Sequence, residues 1–195
     1  MKELAEAALN AAQSAGAKYA DIRVSRHRTQ DIAAREEKVQ EISDAESFGL
    51  GVRVLVDGTW GFASTPAVKQ GQAAEAAKRA VALARASRPA RRLEVKLPPA
   101  ACHLAEWSTP IEQDPFAQPL RAKADLLLEV NAAALKVKGA KYCRSFMRFL
   151  HEDKFFASSE GSAIQQKLCR SWASFSVTAV KIGRASCRER VYVLV

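Results

Sequence analysis

Three histidines and four cysteines are the scarce groups that could hold a metal in this 195-residue chain, and their spacing decides what they can do. His151-Glu152 begins like HExxH, the pattern by which one helix face offers two histidines to zinc and a glutamate to water, but Phe155 stands where the second histidine belongs. His27 and His103 have no carboxylate or cysteine at ligand spacing and read, with His151, as surface residues. Cys102, Cys143, Cys169 and Cys187 form no CxxC pair and read as reduced thiols. No catalytic, cofactor-binding or metal-ligating residue is expected within this chain.

Other patterns reach no further. Ser158-Ser159-Glu160-Gly161 holds a hydroxyl nucleophile without the flanking glycine of GxSxG, and a serine without a base and an oxyanion hole is a turn residue. Gly49-Leu50-Gly51 opens like a phosphate loop, yet no third glycine follows and a strand follows in place of a helix. The glycines fit better a strand that bends or admits another backbone. Arg88, Arg91 and Arg92 cluster beside Pro89 without interleaved aromatics, as in a solvated linker.

The element around which the chain is organised is Phe48–Thr65, two strand-like runs joined by Asp57-Gly58. A two-residue Asp-Gly turn fixes the register by counting outward: Val56 faces Thr59, Leu55 faces Trp60, Val54 faces Gly61, Arg53 faces Phe62 and Val52 faces Ala63. One face then collects Leu50, Val52, Val54, Val56, Gly61 and Ala63, leaving room for a close helix. The other carries Leu55 beside Trp60 and Arg53 beside Phe62, a guanidinium within reach of a ring, and is the face expected to meet a partner.

Around it, residues 2–15 read as a helix stopped by Gly16, packed through Leu4, Ala8, Ala11, Ala12 and Ala15. Tyr19–Arg26 alternates Ala20, Ile22 and Val24 against Asp21, Arg23 and Ser25, a strand with one buried face. A second run spans Thr29–Glu36, with Arg26-His27-Arg28 as the connection, and residues 37–47 are a short irregular or strand-like edge. Thr65-Pro66 reads as N-cap and first turn of a helix striped by Ala73, Ala76, Ala77, Ala80, Leu83 and Ala84. Six of seven prolines fall between Pro89 and Pro119, which predicts an extended crossover. Pro119 opens a helix striped by Leu120, Ala124, Leu127 and Leu128, with Asn131 at its rim. From Tyr142 the period becomes two. Interruptions at His151-Glu152-Asp153, Ser158–Gly161 and Cys169-Arg170 predict a four-strand meander whose best buried face is Ala173, Phe175, Val177 and Ala179. The fold class is α+β: antiparallel or mixed sheets, a hairpin plus a meander, covered by about three amphipathic helices.

Composition is that of a soluble globular domain, with 48% hydrophobic and 26% charged residues. No run approaches a membrane span and the N-terminus is no signal peptide, so the cytoplasm is the expected compartment and no membrane partner is expected. The net charge of +9 is partly local. Lys181, Arg184, Arg188 and Arg190 crowd the last fifteen residues, where Ile182–Val191 is residue for residue the in-frame translation of a widely used sequencing adaptor. Residues 181–195 are therefore read as a non-native tail, and 1–180 as one domain, incomplete at its C-terminal end, with lobes about 1–87 and 119–180 joined by the crossover 88–118. Nucleic-acid binding is not expected from the remaining charge.

The order of a helix, the ADIRVSR strand, the GLGVRVLVDGTWGFAST hairpin, an alanine-rich helix, a proline-rich crossover with Asp114-Pro115-Phe116, a leucine-rich helix and KFFASSEGSAIQQ resembles the N-terminal domain of the TldD/PmbA family. The most specific parts are Gly49-x-Gly51-Val52-Arg53 with Gly61-Phe62-Ala63, and Phe156-x-Ser158-Ser159-Glu160-Gly161 with Gln165. The resemblance implies an intracellular zinc metallopeptidase assembly that degrades or trims unfolded peptides, commonly as a pair of related subunits with only one carrying zinc, and for this chain it implies a homologous TldD/PmbA-type subunit as partner, in a homo- or heterodimer. An older name in the family is modulator of DNA gyrase. Metal-bearing members hold zinc on an HExxxH helix, and that motif is absent here. What the resemblance implies for this chain is scaffold, subunit contact and a wall of the substrate chamber, with no cofactor of its own. The alternative is a basic binding module acting on DNA or a DNA enzyme.

Overall fold

A computed structural model describes residues 1–181 and 184–192, with side chains described to residue 180. The fold is α+β. In chain order it holds α1 (Lys2–Ser14), β1 (Tyr19–Arg35), β2 (Lys38–Val56), β3 (Thr59–Thr65), α2 (Gln70–Ser87), a short 3-10 turn (Arg88–Ala90), β4 (Leu104–Ser108), α3 (Leu120–Leu135), β5 (Ala140–Ser158), β6 (Ala163–Lys181) and β7 (Arg184–Tyr192). The strands form a mixed sheet in the order β3-β2-β1-β5-β6-β4, with β7 pairing β6.

The β2–β3 hairpin has the register counted from its turn, from Val56 opposite Thr59 to Val52 opposite Ala63 and on to Leu50 opposite Thr65. Asp57 and Gly58 both take positive φ, 46° and 69°, as a two-residue turn matched to strand twist demands. Gly61 shows why the second strand is small. A Cβ there would penetrate the Ala80 carbonyl oxygen and stand 2.8 Å from the Ala84 nitrogen, so the α2 backbone rests directly on the strand.

Two compact units share the strands. The first comprises Met1–His27, Ser47–Ser108 and Glu152–Lys167; the second comprises Arg28–Glu46, Thr109–His151 and the chain from Leu168 onward. In the first, α1 and α2 bury alanines (Ala8, Ala12, Ala76, Ala80) against Ile22, Val24, Val52 and Val54, all almost fully enclosed. In the second, α3 packs Ala124 and Leu127 on Ile32, Ala34 and Met147.

Several sequence expectations need correction. The β1 strand runs unbroken through Arg26-His27-Arg28, since no glycine or proline interrupts it, and residues 38–47 belong to the equally continuous β2. Likewise β5 and β6 are two long strands and not four short ones; His151-Glu152-Asp153 and Cys169-Arg170 lie inside them, and only Ser159–Ser162 turns. Polar residues mid-strand had suggested breaks, but a strand alternates its faces and can carry them outward. Helix α2 begins at Gln70 and not at Pro66, because the Thr65 hydroxyl accepts the Ala67 N–H (3.2 Å) and turns the chain before the helix starts. Leu83, at the margin of its stripe, is exposed, and Val81 is buried in its place. Ala173, Phe175, Val177 and Ala179 are only half-buried.

The proline-rich stretch is not wholly irregular, since β4 within it pairs parallel with β6, Leu104 opposite Ala163 through Ser108 opposite Lys167. Arg88 and Arg91 are not a free linker either. Arg88 Nη1 stands 3.4 Å from Asp57 Oδ2, Arg91 donates to the Asp57 carbonyl, and the Val95 N–H donates to the Gly58 carbonyl (3.0 Å), so this segment clasps the hairpin turn. In the region read as a tail, Arg184–Tyr192 pairs antiparallel with β6. Val193–Val195, expected to be able to add to a sheet edge with Val191 and Tyr192, lie outside the described residues.

Candidate binding groove on the outer sheet face

The residues of Gly49-x-Gly51 fall on one face of β2, the face turned away from α1 and α2, and two successive missing side chains leave a dip in it. The resulting groove measures about 550 Å³. Asp21, Arg23, Ser25 and His27 of β1 line one side, Phe62 and Ser64 of β3 the other, with Arg53 at one end and Thr65-Pro66 near the opposite end. All belong to the first compact unit.

The end at Arg53 is built around a buried carboxylate. Asp21 is 1% exposed, although alternation along β1 placed it with the solvent-facing residues. Arg53 compensates it with Nε 2.8 Å and Nη2 2.7 Å from Oδ2, while Arg23 Nε lies 3.6 Å from Oδ1, too far for a hydrogen bond. Burial pulls the Arg53 pKa down, but hydrogen bonds and charge from Asp21 and Tyr19 together outweigh it and the net shift is upward. Burial, and then the Asp21 charge, raise Tyr19. Arg53 does stack on an aromatic ring, but on its diagonal neighbour Trp60, with Cζ 4.6 Å from the centroid, and not on Phe62, the residue it faces. Tyr19 meets Trp60 edge-on at 6.0 Å. Phe62 instead leans over Gly51, its ring 57% exposed.

The same face continues as alternating cations, rings and carboxylates. Arg23 lies 5.6 Å from the Phe156 ring centroid, and His27 Nε2 lies 3.9 Å from Glu152 Oε1, which also accepts from Lys154 (3.0 Å). Such a surface can hold an apolar group and an anion side by side. Two arginines share one carboxylate at its Asp21 end, which leaves that end electropositive.

The other candidate residues fall elsewhere. His151 lies inside β5 against Phe116, 6.2 Å between ring centres. Ser159 caps the β5–β6 turn, its hydroxyl accepting the Ala20 N–H (3.0 Å) while its own N–H donates to the Ala20 carbonyl (2.8 Å). Asn131 is no rim residue: it is fully buried, donating to the Glu36 carbonyl (3.0 Å) and accepting from Cys143 Sγ (3.2 Å), where burial and then Glu36 raise the thiol pKa. Lys123 is buried too, donating to Gln30 and lying 4.4 Å from the Phe149 ring centre, with its pKa lowered by burial. Sequence reasoning missed the groove. The signal was present in two glycines at i and i+2 of a strand, which remove adjacent side chains from one face.

Among the described residues no three of His, Cys, Asp and Glu stand together as a metal would require, and none of the helices there is long and apolar enough to cross a membrane. These residues do not fit a catalytic zinc, which needs about three protein ligands and an open position for water. No step of hydrolysis is assigned to them.

Comparison with known proteins agrees with the resemblance carried by the motifs. Residues 20–84 match the family model described as PmbA/TldA metallopeptidase domain 1, and residues 113–192 match the PmbA/TldA metallopeptidase central domain. A metalloprotease of Methanothermobacter thermautotrophicus is 27% identical over 174 residues, 87% of this chain and 37% of that protein. One from Methanocaldococcus jannaschii is 24% identical over 154 residues, 78% of this chain and 34% of its own length. The chain thus spans little more than a third of these curated relatives. Among solved structures, the fold is shared with a protein of Thermotoga maritima described as a modulator of DNA gyrase (TM-score 0.70, 13% identity, 97% of this chain and 42% of that one). It is shared also with TldE from Thermococcus kodakarensis (TM-score 0.64, 16% identity, 95% and 42%). With both family domains matched in order along one sequence and the α+β fold in common, this chain belongs to the TldD/PmbA metallopeptidase family.

Proposed function

We propose that this chain serves as the N-terminal part of a TldD/PmbA-type metallopeptidase that degrades unfolded peptides in the cytoplasm, contributing scaffold, contact with a homologous subunit and a wall of the substrate chamber. The observation that carries the reading is the succession of the two family domains along this sequence. The outer face of the first unit supports the contact role, because Trp60 lies beside Arg53 there and not within a uniform charge field. Arginine and aromatic residues are the types enriched where proteins meet. Zinc, expected of the full-length assembly, would be held outside the residues described here.

Sedimentation of the chain with a homologous TldD/PmbA-type subunit tests this. A mixed complex is expected. Two independently sedimenting species at tens of micromolar would overturn the contact role. The DNA-directed alternative would show itself as duplex binding that survives about 0.2 M salt.

A further inference from the structure

We infer that the groove over Gly49 and Gly51 takes the C-terminal residue of a peptide, its free carboxylate on Arg23 and its apolar side chain against Phe62. This rests on the reading of the chain as part of a peptidase that meets peptides, and it adds a specific recognition site to the chamber wall.

The geometry favours this occupant over others. The bare floor over Gly49 and Gly51 is two alternating strand positions long, about 7 Å, and suits one side chain, while the groove runs on past Ser47 and His27 and leaves room for the chain that precedes it. At the Asp21 end Arg53 carries a side chain where the two glycines carry none, its Cζ held 4.6 Å from the Trp60 ring centre, and it bounds the bare floor there. Arg53 is committed to Asp21 through two contacts under 3 Å. Arg23 is not held in this way. Its side chain is half exposed, its contact with Asp21 is long at 3.6 Å, and its guanidinium is steadied against Phe156. One guanidinium in excess of the local carboxylate, beside an apolar floor and an exposed phenyl ring, complements an apolar residue that ends in a carboxylate. An internal peptide residue would offer no such anion, and a phosphate would leave Phe62 without a partner.

The test is calorimetric titration of the full chain with three peptides: an acetylated tripeptide ending in phenylalanine with a free carboxylate, the same peptide amidated, and an amidated peptide with an internal glutamate. The acid is expected to bind about tenfold or more tightly than either amide, the loss of one charge-assisted bond. Arg23→Gln should bring the acid down to the level of its amide, Arg23→Lys should keep part of the difference, and Phe62→Ala should weaken acid and amide alike. Equal binding of acid and amide by the parent chain overturns the site, as does no detectable binding of any of the three at millimolar concentration. An advantage for the internal glutamate overturns it as well. The parent's comparison of acid with amide stands even where a variant fails to fold. Acid preference without association to a homologous subunit would refute the subunit contact and leave this site; association without acid preference would do the reverse.

Discussion

The ring of Phe62 lies across the backbone of Gly51, its Cε2 2.8 Å from where a Cβ on that glycine would stand. The hairpin register sets Phe62 beside Arg53, yet the ring settles over the neighbouring gap, where the strand surface is bare. Gly51→Ala should therefore push the ring aside at a modest cost, on the order of 0.5–1.5 kcal/mol for an off-rotamer side chain. The variant's shift in urea midpoint measures this, and a stability equal to the parent's would mean that the ring is not seated there.

A far larger effect is expected on the opposite face. Gly61→Val would drive a branched side chain into the backbone of α2 at Ala80 and Ala84, which cannot yield as a side chain can. Overpacking of this kind costs roughly 1–3 kcal/mol or more. Thermal unfolding of the variant should begin several degrees lower, and an unchanged transition would displace α2 from β3.

Acid should act on the second unit through Asp44. Arg28 holds this carboxylate with bonds of 3.1 and 2.9 Å and lowers its pKa, the Gln30 amide assisting at 2.9 Å. A carboxylate whose pKa is lower folded than unfolded contributes stability above its unfolded pKa and loses it as pH falls through the folded one. Urea midpoints taken from about pH 5 down to pH 2 should thus fall more for the parent than for Asp44→Asn, the two converging in acid. Parallel curves would remove Asp44 from the acid response. The pair is well exposed, so the difference should be small.

Much of the fold was legible. Asp57-Gly58 fixed the hairpin register to the residue, and the alanine stripe of α2 was readable because a close helix leaves no room for anything larger. Strand lengths were not, since Arg26-His27-Arg28 and His151-Glu152-Asp153 look like turns when only local polarity is weighed. Pairing on both sides keeps such residues extended. Asp21 and Asn131 were misplaced for a related reason: each is a polar residue whose burial is made acceptable by a partner distant in sequence, Arg53 for one and the Glu36 carbonyl for the other.

The adaptor-like composition of residues 181–195 carries an expectation of its own. Although Arg184–Tyr192 pairs with β6, a strand adding to an open edge need not support the core behind it. Deleting 181–195 should leave the thermal transition within a degree or two of the parent and abolish whatever salt-labile DNA binding the four cations confer. Loss of cooperative unfolding would make the segment an integral strand.

The role proposed for this chain is tested most directly by metal content and peptide hydrolysis measured together, on the chain alone after dialysis against a weak chelator and on its complex with a metal-bearing homologous subunit. Alone it should retain only substoichiometric zinc and leave an unfolded protein such as reduced casein uncut, while the complex hydrolyses casein in a zinc-dependent way. One zinc retained per chain, with hydrolysis by the chain alone, would contradict the proposal and place the chemistry among residues in which none is assigned here.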